Sequence, residues 1–175
     1  LIGSLFIFKY TARVTGYNLI LSILFLIVFY SIPLILQRID IEKYKIFNKR
    51  NVILVFSIIT ILLIVLLQYI PSETRVSRHL AIETWLGNLL NNQFPYDSPV
   101  NPSGFPFLFF LALPFYLLGD AGFLTIVGFI LAWGAVIYNS VSTRERIIKL
   151  LLLLFLPTLY YEILVRSELL ANMMF

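Results

Sequence analysis

The residues best suited to chemistry lie in one polar stretch of a largely apolar chain. Glu73, Arg75, Arg78, His79 and Glu83 bring together two carboxylates, two guanidinium groups and an imidazole. A carboxylate can accept a proton from a hydroxyl group, and arginine can bind a phosphate. Arg75, His79 and Glu83 are spaced four residues apart, so they share one face of a helix. The simpler alternatives are a charged helix start for Glu73 and an i,i+4 pair of Glu83 with His79.

A second charged group lies near the end of the chain, in the sequence YYEILVRSELLAN. Glu162 falls within an apolar run, Arg166 follows four residues later on the same helix face, and Glu168 and Asn172 come next. Ionised side chains within membrane helices are costly and usually face a cavity or a charged partner. Glu162 and Arg166 are therefore as consistent with a structural ion pair as with a functional site.

The remaining acids and the single histidine give no metal signal. Asp97 follows FPY, and Asp120 lies in GDAG, where turn formation accounts for both residues. His79 is the one histidine and there is no cysteine, which excludes thiolate sites in this sequence. A metal site would need carboxylates, or ligands from the rest of a longer protein. No metal ligand is predicted, and a divalent cation stays an open alternative.

The composition indicates a membrane protein. Of the 175 residues, 60% are hydrophobic and only 13% are charged, whereas soluble domains are about half apolar and a quarter charged. In such a chain the net charge of +4 is not a nucleic-acid signal, because basic residues mark the loops that face the cytoplasm. The chain begins without methionine and ends in apolar sequence, and we expect it to be a piece of a longer protein.

Long apolar runs without period-two alternation predict an all-α fold, a polytopic transmembrane helix bundle. A bilayer core about 30 Å thick needs roughly 20 apolar residues in a helix. The predicted spans are 17–37, 52–70, 105–118, 123–138 and 147–165, with an outside loop at 71–104.

Basic residues predict the orientation but leave one conflict. The loop between the first two spans carries five of them, which places it in the cytoplasm and residues 71–104 outside. The sequence STRERIIK, which starts at Ser142, is also basic and favours the cytoplasm. Two full crossings between these regions would return the chain to the outside. Either 105–118 does not cross fully, or STRERIIK departs from the rule.

The outside loop divides into two parts. SETRVSRHLAIETWLGNLLNNQ, from Ser72 to Gln93, reads as an amphipathic helix lying on the membrane surface, with Trp85 at headgroup depth. Four prolines follow between residues 95 and 106 and predict a stiff loop.

This layout resembles the GT-C superfamily of integral-membrane glycosyltransferases, which use polyprenyl-phosphate sugars and include mannosyltransferase-like enzymes. The matching features are an acid after a span, RHL at 78–80, FPY at 94–96, and GFPFLFFLALPFYLLGDAG at 104–122. The resemblance covers roughly 52–175. It implies transfer of a sugar from a polyprenyl-phosphate donor to an unidentified acceptor at the extracytoplasmic face, in the plasma membrane of a prokaryote.

The resemblance also implies roles for individual residues. In the family an acid of the first outside loop is the general base, and Glu73 and Glu83 are the candidates here. The predicted substrate-binding residues are Arg75, Arg78, His79, Tyr96, Arg166 and Glu168. The expected partners are the lipid-linked donor, the acceptor and the bilayer, with no nucleic acid.

Two other functions stay open. A transporter or flippase of a lipid-linked molecule would line its pathway with these charges, although the chain shows no internal repeat of the kind common in transporters. A non-catalytic membrane scaffold would tolerate the same residues without using them.

Overall fold

The computed structural model describes residues 2–12, 16–44, 47–70, 77–98 and 106–166. Helices account for most of them, and these ranges contain no strand, so the predicted all-α class is confirmed for this part of the chain. The helices are α1 (Ile2–Thr11), α2 (Asn18–Arg38), α3 (Lys49–Tyr69), α4 (Ser77–Leu90), α5 (Pro106–Leu117), α6 (Phe123–Asn139), α7 (Thr143–Leu154) and α8 (Pro157–Val165), with a 3-10 turn at Ile41–Lys43.

Two helices and one bent pair are long and apolar enough to cross a bilayer among the residues the structure describes. Helices α2 and α3 have 21 residues each, which corresponds to about 31 Å. Helices α7 and α8 meet at an angle of 41°. The break precedes Pro157, which has no backbone N–H to continue the α7 hydrogen-bonding pattern. Helices α5 and α6 are apolar but shorter, with 12 and 17 residues.

The exposed surface of α2 and α3 is apolar, as a membrane environment requires. In α2 the one buried side chain is Ser22, whose hydroxyl donates to the Asn18 carbonyl at 2.8 Å. Exposed apolar residues cover both helices, among them Leu19, Ile20, Ile27, Leu34, Leu54, Ile61 and Leu62. Lipid chains would solvate such a surface, whereas soluble proteins seldom expose so large an apolar area.

The chain divides into two compact units, Leu1–Ile58 with Trp133–Thr158, and Ile59–Ala132 with Leu159–Phe175. In the first unit, α1 and α7 both pack on α2. Arg144, in the first turn of α7, donates from Nη2 to the Ile39 carbonyl at 3.3 Å. The basic sequence STRERIIK therefore lies beside the end of α2, where the other basic segment begins.

The start of α7 is specified locally. The Ser142 hydroxyl accepts from the Glu145 amide at 3.1 Å, and a Glu145 carboxylate oxygen accepts from the Val141 amide at 3.0 Å. These reciprocal bonds satisfy two amides that a helix start leaves without intrahelical partners. Lys149 pairs with Glu145 one turn later.

In the second unit α4 packs on α5 around a buried apolar cluster. Its members are Ile82, Trp85, Leu86, Phe109, Ala112, Ala121 and Leu124. The apolar face of α4 predicted from its spacing is thus real, but it faces protein. Trp85 is only 3% exposed because α5 covers the indole, so the ring contacts protein rather than lipid headgroups. Its depth in the membrane stays a prediction.

Candidate functional site

The predicted pairing of His79 with Glu83 is present on α4. His79 Nε2 lies 3.0 Å from Glu83 Oε1, across one helical turn. The imidazole is 2% exposed, whereas the Glu83 side chain is 29% exposed. Helix geometry sets this contact, since residues four apart are neighbours on one face. The result is a carboxylate open to one side and held from the other by a buried ring.

This arrangement suits a group that must accept a proton. Nε2 acts as the donor to the carboxylate, which fixes the orientation of the Glu83 side chain. A carboxylate offers about four acceptor positions, and the Glu83 side chain is 29% exposed, so part of the carboxylate faces outward. Glu83 can therefore accept a proton from a hydroxyl group that approaches its open side.

Aromatic rings border α4 on the side of the proline-rich loop. The Trp85 ring lies 5.1 Å from that of Phe109 and 5.4 Å from that of Phe110, measured between centroids. Tyr96 meets Trp85 edge-on at 6.0 Å and lies 5.8 Å from Phe94. Trp85 is buried, but Tyr96 is 40% exposed and Phe94 70% exposed. The outer two rings are thus available to a ligand such as a sugar.

Asn88 fixes the first part of the loop to α4. Its Nδ2 donates to the Asp97 carbonyl at 2.7 Å and to the Phe94 carbonyl at 3.4 Å. The chain reverses at Asn92, which has φ 55°, so that the loop folds back along the helix. Within the loop the Asp97 amide donates to the Phe94 carbonyl at 3.0 Å, which closes a backbone turn over residues 94–97. An Asx turn made by the Asp97 side chain stays a prediction. Sequence reasoning missed Asn88, which lies two residues before the end of α4. Asparagine side chains often bond to backbone groups close in sequence, and that tendency was the available signal.

A second cluster surrounds Arg166, whose side chain is 1% exposed. Its Nη2 donates to the Leu67 carbonyl at 2.6 Å, and its Nη1 lies 2.9 Å from Asp120 Oδ2. The other Asp120 oxygen accepts from the Gly122 amide at 2.7 Å. Arg166 itself has φ 52°, a left-handed conformation just after α8. The cluster thus joins the end of α3, the turn after α5 and the end of α8.

The contact between Arg166 and Asp120 was not predicted. The sequence assigned Asp120 to a turn, and it does cap the GDAG turn through Gly122. Glu162 is fully buried beside Arg166, and the Arg166 amide donates to its carbonyl at 2.9 Å. A buried arginine requires an acidic partner. This requirement was the available signal that one of the acids in the sequence contacts Arg166.

Several predicted residues fall outside what the structure describes. These are Glu73, Arg75 and Glu168, together with Asn172. Arg78 belongs to α4, but its side chain is among the undescribed ones. In the described ranges no group of three or more histidine, aspartate or glutamate residues is placed to hold a metal ion.

Comparison with known proteins does not place the chain in a family. The chain matches no protein-family model, no curated protein and no solved structure. Function is therefore inferred from the contacts and the chemistry of the described residues.

Proposed function

We propose that the chain is part of an integral-membrane glycosyltransferase of GT-C type, in a prokaryotic plasma membrane. It would move a sugar from a polyprenyl-phosphate donor to an acceptor hydroxyl at the extracytoplasmic face. The observation that carries this proposal is the half-open Glu83 carboxylate, held at 3.0 Å by the buried His79. A base fixed in this way is what the acceptor hydroxyl needs.

In the proposed reaction Glu83 takes the proton of the acceptor hydroxyl group. At the same time the hydroxyl oxygen attacks the anomeric carbon of the donor sugar. The bond between that carbon and the phosphate oxygen breaks, and the polyprenyl phosphate leaves with the bonding electrons. Arg75 and Arg78, close to His79 in the sequence, are the candidates to stabilise the leaving phosphate. Tyr96, exposed and close to α4, is the candidate to contact the sugar.

The proposal includes a multi-pass topology that removes the conflict over orientation. Helix α5 has 12 residues, about 18 Å, which is too short to cross a bilayer core of about 30 Å. Arg166 bonds to Leu67 in the last turn of α3 and to Asp120 in the turn after α5. This shared contact supports a chain that leaves α3 and returns to the same side of the membrane without crossing.

The two basic segments support the same topology. Arg144 bonds to Ile39, so both segments can face the cytoplasm if α6 crosses once. The spans would then be α2, α3, α6 and the α7–α8 pair. Helix α4, with Glu83 and His79, would lie in an extracytoplasmic loop.

A transfer assay on the full-length protein in liposomes tests the activity. The substrates are a panel of radiolabelled polyprenyl-phosphate sugars, and the variants are Glu83→Gln and Glu73→Gln. Loss of transfer in Glu83→Gln alone supports the assigned base. Loss in Glu73→Gln alone moves the base to Glu73, and an inactive but correctly inserted wild type overturns the enzyme in favour of a lipid transporter.

The absence of cysteine makes the topology directly testable. Single cysteines at Ser98, Leu118 and Val141 are labelled with an impermeant maleimide in sealed vesicles of known orientation. We expect Ser98→Cys and Leu118→Cys to react from the outside and Val141→Cys only from the cytoplasmic side. Reaction of Leu118→Cys from the cytoplasmic side would mean that α5 crosses.

A further inference from the structure

An open groove of about 450 Å³ follows the last turns of α2. Its lining residues are Ser31, Leu34, Ile35, Arg38 and Ile39. Leu34 is 62% exposed and Ile35 55% exposed, so the wall of the groove is apolar. Arg38, in the last turn of α2, places an exposed guanidinium group at the end of this wall.

A second guanidinium group borders the groove at the same end. Arg144 Nη2 donates to the carbonyl of Ile39, which is a lining residue. Arginine has five donors in a planar fork, and the bond to Ile39 engages one terminal nitrogen of the half-buried Arg144 side chain. The remaining terminal N–H groups can donate to a further oxygen ligand.

Two carboxylates near this end of the groove pair with lysines. Asp40 pairs with Lys43 at 3.4 Å, and Glu145 pairs with Lys149. Among the side chains that the structure describes here, Arg38 and Arg144 supply the positive charge beside the groove.

We propose that this groove binds an anionic phospholipid. The phosphodiester would contact Arg38 and Arg144, and an acyl chain would lie along Leu34 and Ile35. Arginine matches phosphate oxygens through paired hydrogen bonds, and the apolar wall matches a hydrocarbon chain. A free phosphate ion would use only the charged end, whereas a phospholipid uses the whole groove. This site is independent of the proposed glycosyl transfer.

Site-directed fluorescence quenching tests the proposal in the full-length protein. A bimane probe is attached to Ile27→Cys, an exposed position two turns before Leu34 that leaves the groove intact. Nanodiscs carry equal fractions of nitroxide-chain phosphatidylglycerol or nitroxide-chain phosphatidylcholine in a phosphatidylcholine background. We expect stronger quenching by phosphatidylglycerol, since one basic side chain near a membrane surface favours an anionic lipid about fivefold.

Variants separate the site from general surface charge. Arg38→Gln, at an exposed position, should lower the preference for phosphatidylglycerol about fivefold. Adding Arg144→Gln to this variant should lower the preference further. Lys49→Gln removes the same charge from an exposed position outside the groove lining and should leave the preference unchanged. The same probe at Ile61→Cys on α3 reports the bulk lipid ratio.

Three results would overturn the proposal. The first is equal quenching by the two lipids at Ile27→Cys. The second is an equal loss in Arg38→Gln and Lys49→Gln, which would indicate only diffuse attraction. The third is full displacement of the preference by inorganic phosphate, which would indicate an anion site that does not use the apolar wall.

Discussion

Two charged pairs in the same unit differ in their exposure and in how far apart their partners lie in the sequence. His79 and Glu83 are one helical turn apart, and the carboxylate is 29% exposed. Asp120 and Arg166 come from distant parts of the chain, and their side chains are 13% and 1% exposed. The first pair leaves a carboxylate partly exposed. The second uses its charges to join three segments of backbone.

The difference suggests separate roles for the two pairs, because a buried charged pair stabilises the fold and a partly exposed carboxylate can take part in a reaction. Arg166 reaches Leu67, Asp120 and, through its amide, Glu162. We therefore propose that Arg166 is a structural residue rather than the substrate-binding residue that the GT-C resemblance implies. Substitutions in the two pairs should then separate activity from stability.

The largest effect is expected in activity, from Glu83→Gln. Removal of a positioned general base lowers the rate of transfer by about 10²- to 10⁴-fold. The amide can still accept a hydrogen bond from His79, so the unfolding midpoint should be unchanged. Transfer kinetics and denaturant unfolding in mixed micelles measure the two quantities. A large loss of stability with little loss of transfer would reverse the roles of the two pairs.

Asp120→Asn is expected to change the free energy of unfolding by about as much as Glu83→Gln changes the activation free energy of transfer. Removing one partner of a buried ion pair lowers the free energy of unfolding by about 3–5 kcal/mol, and here the buried Arg166 loses the carboxylate charge of Asp120. Transfer per folded molecule should be retained. Asp97→Asn, at an exposed acid, is the control and should change stability little.

A double substitution sharpens this result. Adding Arg166→Met to Asp120→Asn removes both charges of the pair, so the double variant should be less destabilised than the sum of the single ones. Strict additivity would show that the two side chains do not act as a pair.

A smaller loss of stability is expected from Gly122→Ala. A Cβ at this position would lie 2.8 Å from Arg166 Cδ and 2.8 Å from Asp120 Oδ1, so one partner must move. We expect about 1–3 kcal/mol of destabilisation from this overpacking. Gly134→Ala is the matched control, because it has open space around it within α6 and should stabilise the helix by about 0.5–1 kcal/mol. The same sign in both variants would contradict tight packing around Arg166.

Sequence patterns predicted the local features and missed the distant ones. The apolar runs indicated α2 and α3, and i,i+4 spacing predicted the contact of His79 with Glu83. Both depend only on helix geometry and composition. The partner of Arg166 could not be found in this way, because Asp120 reaches it through the packing of α3, α5 and α8. The burial of Trp85 was not predicted for the same reason, since it depends on α5.

The smallest effect on stability and activity is expected from Asn88→Ala. This variant distinguishes the role of the loop that carries Tyr96 from the role of Glu83 as the base. The substitution removes the bonds to the Asp97 and Phe94 carbonyls and should lower stability by about 1 kcal/mol. Tyr96 would then no longer be held beside α4, so KM for the donor should rise while kcat stays close to that of the wild type. Glu83 still has His79, which is why the rate of the bound complex is preserved.

Asn139→Ala provides the matched control, because the bond that its amide makes among the described residues lies within its own helix, to the Ala135 carbonyl at 2.9 Å. It should change neither KM nor kcat. An Asn88→Ala variant with lowered kcat and unchanged KM would mean that the loop acts on the base instead of the sugar. The aromatic rings of Tyr96 and Phe94 would then be membrane anchors, and the exposed face of Glu83 alone would define the site.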